Sequence, residues 1–501
     1  MILERMEKKM KQQKTLFKNT IYKAILNIVN ILIPVIIGSY VVRLLDVDLY
    51  GIYNKVYSEF QVFLAIASLG IYNYGVKEVS KIRDDPKKMS KMFTNLFVIG
   101  VASNLIILII YLAYAFFASS ELTLKIYLIF VIQILSNIIY VEYVNEALEN
   151  YKFISLKSII VRIIYLISLL VFVKKPTDII IYGILVSLSA MINNLLSFIY
   201  VKRRIKFDFK NLNISKYIKI LFIILIITNV DLLYSQLDRV MLGRYNTNIS
   251  VTVYFIAYYI VSTLVSIPYS IVFVSVPRLS YLLKNSKKKI YEEKLNNSIR
   301  SLLFLIIPIC LGIFTLSEEI IELYSGSRYS AAVLPLKIAC ISRIFISIEY
   351  AINNLVLYPN DKEKRILLIT FVCGVLNLIL NYTLVVLKIF NPVTAMATTG
   401  IVEIIIAVCQ YIYTRKKLNI KLNIITKETV RYLIVSLCFI PVSYLVKMLN
   451  IGFFIKVLLI VIICSLMYVG ILFIFKDTNI MFILEKVKGK IYFSRRKNEK
   501  S

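Results

Sequence analysis

Long uninterrupted apolar segments are the feature that most constrains what this chain can fold into. Residues 92–118, for example, contain no charged side chain. Runs of 18 or more apolar residues are typical of transmembrane helices, and a soluble domain cannot bury many of them. The chain of 501 residues is 59% hydrophobic and only 18% charged. The apolar residues are continuous rather than alternating, which excludes a transmembrane β-barrel. The sequence therefore predicts an all-α, polytopic membrane protein.

Fourteen segments have the length and apolar character of a transmembrane helix, each about 20 residues long. No connection between them is long enough for a separate soluble domain. The predicted spans are 20–42, 52–75, 92–118, 123–148, 156–173, 177–201, 217–241, 250–276, 300–324, 330–358, 366–387, 392–413, 430–447 and 454–475.

The basic residues test this count independently. If the N-terminus is cytoplasmic, the connections that lie inside hold 47 of the 60 Lys and Arg residues. Such an alternation follows the positive-inside rule, and a missed span would invert everything after it. The predicted orientation is N-in and C-in. The net charge of +31 is spread over these short loops, which indicates contact with anionic membrane lipids and not with nucleic acid.

Several kinds of chemistry lack their usual residues. The chain has no His, so Ser–His and Cys–His catalysis and His-ligated metal sites are excluded. It also lacks a G-x-x-x-x-G-K-[ST] motif, which argues against ATP hydrolysis. The six cysteines fall singly inside apolar segments, a pattern that favours inert thiols over disulfides or metal ligands. We therefore expect a transporter without a catalytic site, a cofactor or a metal.

Spans 1–6 and 7–12 have the spacing of two copies of one unit. Basic residues and short motifs recur after corresponding spans, at separations of 196 to 213 residues. Six spans per copy would place both copies in the same orientation, as in transporters with parallel repeats. The predicted domains are an N-terminal lobe at 1–210, a C-terminal lobe at 211–425, and two extra helices with a basic tail at 426–501. Two such lobes predict transport by alternating access, with the substrate between them near the middle of the membrane.

Seven short motifs resemble those of the polysaccharide biosynthesis flippases, the O-antigen and capsule repeat-unit exporters of the multidrug/oligosaccharidyl-lipid/polysaccharide exporter superfamily. Each motif is weak alone, but together they cover nearly the whole chain in order. Three departures are Asp46, where the family usually has Gly, Lys77, where Arg is usual, and span 12, which lacks the usual Gly-Ala-Ala run. The matching segments are Arg43-Leu44-Leu45 with Tyr50-Gly51-Ile52-Tyr53, then 70–78, 146–154, 237–243 with Tyr254, 276–279, 357–359, and Asn377 with Asn381.

The resemblance implies a function and a location. It implies that the chain moves oligosaccharides linked to undecaprenyl diphosphate from the cytoplasmic to the outer leaflet, for surface polysaccharide biosynthesis. The location would be the bacterial cytoplasmic (inner) membrane, as a multi-pass protein. Expected partners are the lipid-linked oligosaccharide, membrane lipids, and a polysaccharide polymerase or other assembly proteins.

The same resemblance places the cavity among spans 1, 2, 7 and 8, and so suggests candidate site residues. Cations there would neutralise a diphosphate, and Tyr hydroxyls would contact sugars. Intramembrane carboxylates are candidates for ion coupling, because a charge in the bilayer is costly and invites a functional role. The cations are Lys23, Arg43, Lys55, Arg239 and Arg278; the tyrosines are Tyr53, Tyr57, Tyr234, Tyr258 and Tyr269; the carboxylates are Glu59, Asp231 and Asp238.

A structural role stays open for each of these residues. Lys55 and Glu59 are four residues apart and either form an ion pair or face a cavity. Asp238 and Arg239 either snorkel and brace the lobes or bind substrate. Packing or interfacial anchoring explains an individual Tyr better than contact with a sugar does. The buried charges Arg343, Glu349 and Glu403 fit interhelical partners better than ligands.

Two rival functions remain. A multidrug cation antiporter of the same superfamily usually has twelve spans, and a cationic drug suits a basic cavity poorly. A membrane glycosyltransferase or polysaccharide polymerase typically has a large outer loop with acidic residues. The one adjacent acidic pair, Asp84-Asp85, falls in a loop predicted to lie inside. The lipid-linked oligosaccharide flippase is the preferred prediction.

Overall fold

The structure is a computed structural model that describes residues 32–117, 120–229, 236–284 and 288–482, together with 29, 484 and 485. Within those ranges all regular secondary structure is helical. The predicted all-α class is confirmed for this part of the chain. The helices fall into two compact units, Met1–Thr252 and Val253–Ser501. The predicted lobe boundaries at 210 and 425 remain a prediction.

The N-terminal unit contains ten helices and the start of an eleventh within its described residues. They are α1 (Leu32–Leu44), α2 (Val47–Ser68), α3 (Ile71–Lys81), α4 (Pro86–Ala115), α5 (Glu121–Ile138), α6 (Glu142–Ala147), α7 (Tyr151–Phe172), α8 (Ile179–Lys202), α9 (Ile214–Asn229), α10 (Leu237–Tyr245) and α11 (Asn248–Val265).

The C-terminal unit begins inside α11, and in its described part nine more α-helices follow up to Ile474, before a further helical segment at residues 478–482. They are α12 (Ser270–Lys284), α13 (Lys288–Thr315), α14 (Ser317–Ser325), α15 (Val333–Ile352), α16 (Glu363–Val386), α17 (Pro392–Lys416), α18 (Lys427–Leu437), α19 (Phe439–Lys447) and α20 (Phe453–Ile474). A short π-helical segment, Asn353–Leu357, follows α15.

Eleven stretches of helix in the described residues are long and apolar enough to cross a membrane. Helices α1 and α12 are apolar but shorter. Each of the fourteen predicted segments contains helix over its described part. The multi-pass character is therefore confirmed, whereas the count of fourteen spans and the N-in, C-in orientation remain predictions.

The second predicted span is two helices rather than one. The carboxylate of Asp46 caps α2 by accepting from the backbone N–H groups of Asp48 and Leu49, at 3.0 and 3.1 Å. At the other end, Leu69 and Gly70 both have positive φ, 47° and 65°, so the chain turns before α3 begins. Hydropathy alone joins α2 to α3 because the turn residues are apolar. The departure at Asp46 thus has a structural role in starting α2.

Both copies of the predicted repeat attach the chain after their sixth span, predicted spans 6 and 12, to a helix in the same way. Asn95 of α4 accepts a hydrogen bond from the backbone N–H of Asn213, at 2.6 Å. Asn296 of α13 accepts one from the backbone N–H of Asn423, at 2.7 Å. Each amide also donates to the carbonyl four residues earlier, on Lys91 or Glu292, at 2.8 Å. The two sites are 201 residues apart along the helices, which supports the predicted repeat.

Candidate functional site

Helix α2 carries the densest set of predicted site residues. Lys55 is half-buried and Glu59 is buried. The two side chains form no ion pair; instead Glu59 accepts a hydrogen bond from the hydroxyl of Tyr127, on α5. Lys55 and the exposed Arg244 lie close enough to act on Glu59 electrostatically. A self-contained Lys55–Glu59 pair is therefore not formed, and within the described part of the chain Lys55 has no ion-pair partner.

Two glycines let neighbouring backbone and side chains approach α2 closely. A Cβ atom at Gly51 would lie 2.5 Å from the carbonyl carbon of Asn248, at the start of α11. A Cβ atom at Gly243 of α10 would lie 2.7 Å from Cγ of Lys55. Since real Cβ contacts are essentially never that short, both positions depend on glycine. The stem of Lys55 is thus held against α10.

Helix α10 contributes two more charged side chains to this region. Asp238 is 0% exposed and Arg239 is 6% exposed, so neither side chain snorkels to the surface. Arg239 acts electrostatically on Tyr57 of α2, whose hydroxyl interacts with Gln61. Lys55, Tyr57, Glu59, Asp238 and Arg239 therefore come from two adjacent helices of one unit. We refer to these five residues as the α2–α10 cluster.

The tyrosines of α2 form an aromatic column. The rings of Tyr50 and Tyr53 stack with centroids 6.2 Å apart, and those of Tyr53 and Tyr57 stack at 6.1 Å. Tyr182 and Phe130 pack against Tyr53 at 4.9 and 5.5 Å. Tyr53 is buried in this arrangement, whereas Tyr57 is half-buried. Packing accounts for Tyr53, and Tyr57 is the one closer to the charged residues.

In the C-terminal unit, the predicted tyrosines surround a buried arginine. Arg343 of α15 donates to the hydroxyl of Ser262, at 2.6 Å, and its guanidinium lies 5.0 Å from the ring centroid of Tyr258. Tyr269 is 3.3 Å from the hydroxyl of Ser347, on the same helix as Arg343. The structure thus supports an interhelical role for Arg343. The guanidinium of Arg343 is thus a positively charged neighbour of Tyr258 and Tyr269.

The remaining predicted residues are scattered or not described. Arg43 lies exposed near the end of α1, and Arg278 lies exposed on α12 in the other unit. Three more of the candidates, Lys23, Asp231 and Tyr234, lie outside the described residues. Of the five predicted cations, Lys55 and Arg239 are the two that the N-terminal unit brings to adjacent helices.

Sequence reasoning missed an ion pair of a buried lysine in the N-terminal unit. The ammonium of Lys157 on α7 lies 2.8 Å from a carboxylate oxygen of Glu142 on α6, and the side chain of Lys157 is 2% exposed. The hydroxyl of Ser197 on α8 contacts both groups. The place of Lys157 at the second position of predicted span 5 already indicates burial. A separation of 15 residues gives no helical spacing that would pair it with Glu142.

The acidic pair Asp84-Asp85 has a structural explanation. The carboxylate of Asp85 accepts from the backbone N–H of Lys88, at 3.1 Å, and caps α4. That hydrogen bond, together with the Lys88 ammonium 3.1 Å away, holds the pKa of the Asp85 carboxyl below its usual value. A catalytic carboxylate in a polymerase would instead need a pKa suited to proton transfer. Asp85 is placed to start a helix.

Comparison with known sequences decides the family. The profile of the polysaccharide biosynthesis protein family matches residues 16–283, more than half of the chain. The chain belongs to this family. The resemblance predicted from the short motifs is thereby confirmed. The profile of the MatE family matches a shorter region, residues 219–383.

A curated relative of this polysaccharide biosynthesis protein comes from Escherichia coli (strain K12) and is described as "Putative O-antigen transporter". The two sequences are 24% identical over 406 residues, which cover 77% of this chain and 95% of the relative. The similarity thus extends well beyond the region that the family profile matches.

Solved structures show the same fold at low sequence identity. The lipid II flippase MurJ, in an inward closed conformation, superposes with a TM-score of 0.69 over 92% of this chain and 99% of its own, at 17% identity. A multidrug resistance MATE family transporter of the MOP superfamily, in an inward-facing conformation, gives a TM-score of 0.54 at 12% identity, over 77% and 98% of the two chains. The fold of this family member is therefore that of MurJ and the MATE transporters.

Proposed function

We propose that this protein is a lipid-linked oligosaccharide flippase. It moves sugar repeat units linked to undecaprenyl diphosphate from the cytoplasmic to the outer leaflet of the bacterial cytoplasmic membrane, for surface polysaccharide biosynthesis. Membership of the polysaccharide biosynthesis protein family supports this cargo. So does the relative described as an O-antigen transporter. The chain works without a catalytic site of its own, alongside a polymerase and other assembly proteins.

The observation that carries the proposal is the pair of cations Lys55 and Arg239 on adjacent helices of the membrane-embedded region. Arg239 is buried and Lys55 is half-buried, with no ion pair to Glu59 on its own helix. Positive charge inside a bilayer is costly and is retained where it serves a function. A lipid diphosphate, with about two negative charges, is an anion that matches two such cations.

Transport proceeds by alternating access, in which lobes 1–210 and 211–425 rock about a central cavity, with 426–501 outside the repeat. Moving two negative charges out of a cell with an inside-negative potential of about 100 mV releases about 4–5 kcal/mol. The potential alone therefore favours the outward direction. Glu59 and Asp238 are the described carboxylates that would couple transport to a cation, because both are buried and lie on the helices that carry these cations.

A second candidate is export of cationic drugs, favoured by the MatE profile that matches residues 219–383. The cations of the α2–α10 cluster weigh against it. A cationic drug would meet Lys55, Arg239 and the nearby Arg244 at close range, and like charges in a low-dielectric site repel strongly.

Reconstitution separates the two functions. The full chain is placed in vesicles with a fluorescent undecaprenyl-diphosphate oligosaccharide, or with a cationic dye, and exchange between leaflets or sides is followed with and without an imposed potential. The proposal expects protein-dependent exchange of the lipid, faster when the destination side is positive, and no dye transport. Dye transport without lipid exchange would reject the flippase in favour of the drug exporter.

A further inference from the structure

A cavity lies between the start of α7 and the end of α8, away from the α2–α10 cluster. Its volume is about 570 Å³, within the range of cavities that hold small ligands. Asn150, Lys152 and Phe153 line it from the α7 side, and Tyr200 lines it from α8. The charge distribution predicts that both helix ends face the cytoplasm. The cavity thus sits where lipid headgroups of the inner leaflet would lie.

Aromatic stacking fixes the position of one cation beside this cavity. The rings of Phe153 and Tyr200 are parallel within 7°, with centroids 3.7 Å apart. The guanidinium carbon of Arg204 lies 4.2 Å from the centroid of Tyr200. Stacking in this way orders the guanidinium while leaving its N–H groups free to donate. Within the described part of the chain, the guanidinium of Arg204 has no acceptor and no ion-pair partner.

The charges around the cavity favour an anion. Lys152 lines the cavity and forms no ion pair with any residue that the structure describes. Glu149 also lines it, but its carboxylate lies 3.1 Å from the guanidinium of Arg83, which compensates its charge. Asn150 adds an amide nitrogen that is buried and has no hydrogen-bond partner among the described atoms. Two cations and one amide donor are the groups that bind a phosphate.

An apolar strip continues from the cavity along α7. Its six side chains are 44–55% exposed and recur at three- and four-residue intervals, so they share one helix face. Leu156 belongs both to the cavity lining and to the strip. The strip comprises Leu156, Ile160, Ile163, Ile164, Ile167 and Leu170. A ligand with a phosphate at one end and a hydrocarbon chain at the other matches both features.

We infer that this cavity binds the headgroup of an anionic phospholipid of the cytoplasmic leaflet. Its phosphate accepts from Lys152, Arg204 and Asn150, and an acyl chain lies along the α7 strip. Basic pockets between transmembrane helices commonly hold such headgroups. The site lies outside the region proposed for transport and does not depend on what the protein transports.

The absence of Trp from the chain makes a direct test possible. Leu156→Trp introduces a single tryptophan at the cavity. Leu368→Trp is the matched control, since Leu368 lies five residues into α16 as Leu156 lies five residues into α7. The two leucines are 50% and 48% exposed. Each full-length variant is reconstituted in phosphatidylcholine containing a minority of phosphatidylglycerol, with one or the other lipid brominated on its acyl chains.

Quenching of the tryptophan reports which lipid is adjacent. At position 156, brominated phosphatidylglycerol should quench as though enriched at least about fivefold over its bulk fraction, since fivefold is the factor for one interfacial cation and the site has two. At position 368 the enrichment should be clearly smaller. Adding Lys152→Gln and Arg204→Gln to Leu156→Trp should reduce the enrichment to the level of the control; both side chains are surface-exposed, and size-exclusion chromatography checks the fold.

Two results would overturn the inference. One is equal enrichment at positions 156 and 368, or enrichment at 156 that survives loss of both cations. The other is displacement of brominated phosphatidylglycerol by undecaprenyl diphosphate at a near-stoichiometric amount, which would assign the cavity to the transported lipid instead. Neither result depends on whether the protein catalyses exchange between leaflets.

Discussion

A carboxylate joins the fourth and sixth spans in each copy of the predicted repeat, half-buried in the first copy and buried in the second, but its partners differ between the two. In the N-terminal unit, Glu142 pairs with the ammonium of Lys157 and contacts Ser197. In the C-terminal unit, Glu349 accepts from the amides of Gln410 and Asn353, at 3.2 and 3.1 Å. By contrast, the hydrogen bonds by which Asn95 and Asn296 hold the chain after the sixth span of each copy are nearly identical.

This comparison shows which contacts the two units share and which they do not. Asn95 and Asn296 bind backbone groups, so their role is independent of charge and suits both copies. A buried charged side chain needs a partner nearby, but the identity of that partner differs between the two units. The α2–α10 cluster in one unit and the group around Arg343 in the other are further examples. The structural difference between the two units therefore lies in their intramembrane charges.

The largest effect should come from breaking the N-terminal ion pair. Glu142→Gln leaves the Lys157 ammonium buried without its counter-ion, which should cost about 3–5 kcal/mol of stability. Glu349→Gln should cost much less, because Gln410 and Asn353 are amides that also hydrogen-bond to glutamine. Unfolding of the purified variants, measured by heat or denaturant, provides the comparison.

A double substitution isolates the reason for that loss. Removing the stranded charge with Lys157→Met in the Glu142→Gln background should recover most of the stability. Equal losses for Glu142→Gln and Glu349→Gln, or no recovery in the double variant, would show that the two carboxylates are equivalent and that the comparison fails.

The close approach of α11 to α2 should be the next most sensitive feature. Gly51→Ala would place a methyl group 2.5 Å from the backbone carbonyl of Asn248, and the resulting overpacking should cost about 1–3 kcal/mol. Gly312→Ala in α13 is the control, because a Cβ atom there meets nothing within 4 Å among the described atoms. Thermal unfolding should show a lower midpoint for the first variant alone; a similar midpoint for both would refute the contact.

The shared asparagine contacts should give equal, moderate effects. Asn95→Ala and Asn296→Ala each remove the acceptor of one backbone N–H, at Asn213 or Asn423. Each should cost about 1 kcal/mol. Hydrogen exchange should accelerate at Asn213 in the first variant and at Asn423 in the second. If one amide loses protection while the other is unaffected, the two units do not share this feature.

The smallest effect concerns the helix cap at Asp85. Because the folded state lowers the pKa of this carboxyl, its stabilisation is present at neutral pH and is lost as the pH falls through the lowered pKa. Asp85→Ala should therefore slightly lower the unfolding midpoint at pH 7 and have no effect in strong acid. Asp84→Ala is the neighbouring control. An effect of Asp85→Ala that persists unchanged at low pH would contradict the capping role.

The sequence predicted the helices well, because each crosses an apolar environment and hydropathy reports that requirement directly. It did not predict the break at Leu69 and Gly70, since both residues are apolar and the turn depends on their positive φ angles. It predicted the repeat spacing from basic residues. The contacts of Asn95 and Asn296 escaped notice, because a polar residue near a helix start has no distinctive pattern.

The sequence predicted part of the composition of the α2–α10 cluster. Charges inside apolar segments identified Lys55, Glu59, Asp238 and Arg239. The pairing of Glu59 was ambiguous, because helical spacing suggests Lys55 and only the packing of α5 against α2 brings Tyr127 to the carboxylate. Contacts between residues far apart in the sequence cannot be predicted from the spacing of residues along one helix. The same limit explains why the Glu142–Lys157 pair was missed.

The central claim is that an intramembrane cation on α2 acts on an anionic lipid-linked cargo. The most direct measurement is leaflet exchange of an undecaprenyl-diphosphate oligosaccharide by vesicles containing Lys55→Gln or Lys337→Gln. Lys337 is a matched control, since its ammonium lies 3.5 Å from the Glu318 carboxylate and its charge is already compensated. Lys55→Gln should slow exchange roughly tenfold or more, the value of one charge-assisted contact, while Lys337→Gln should leave it unchanged. Equal rates for both variants and the parent protein would contradict the account.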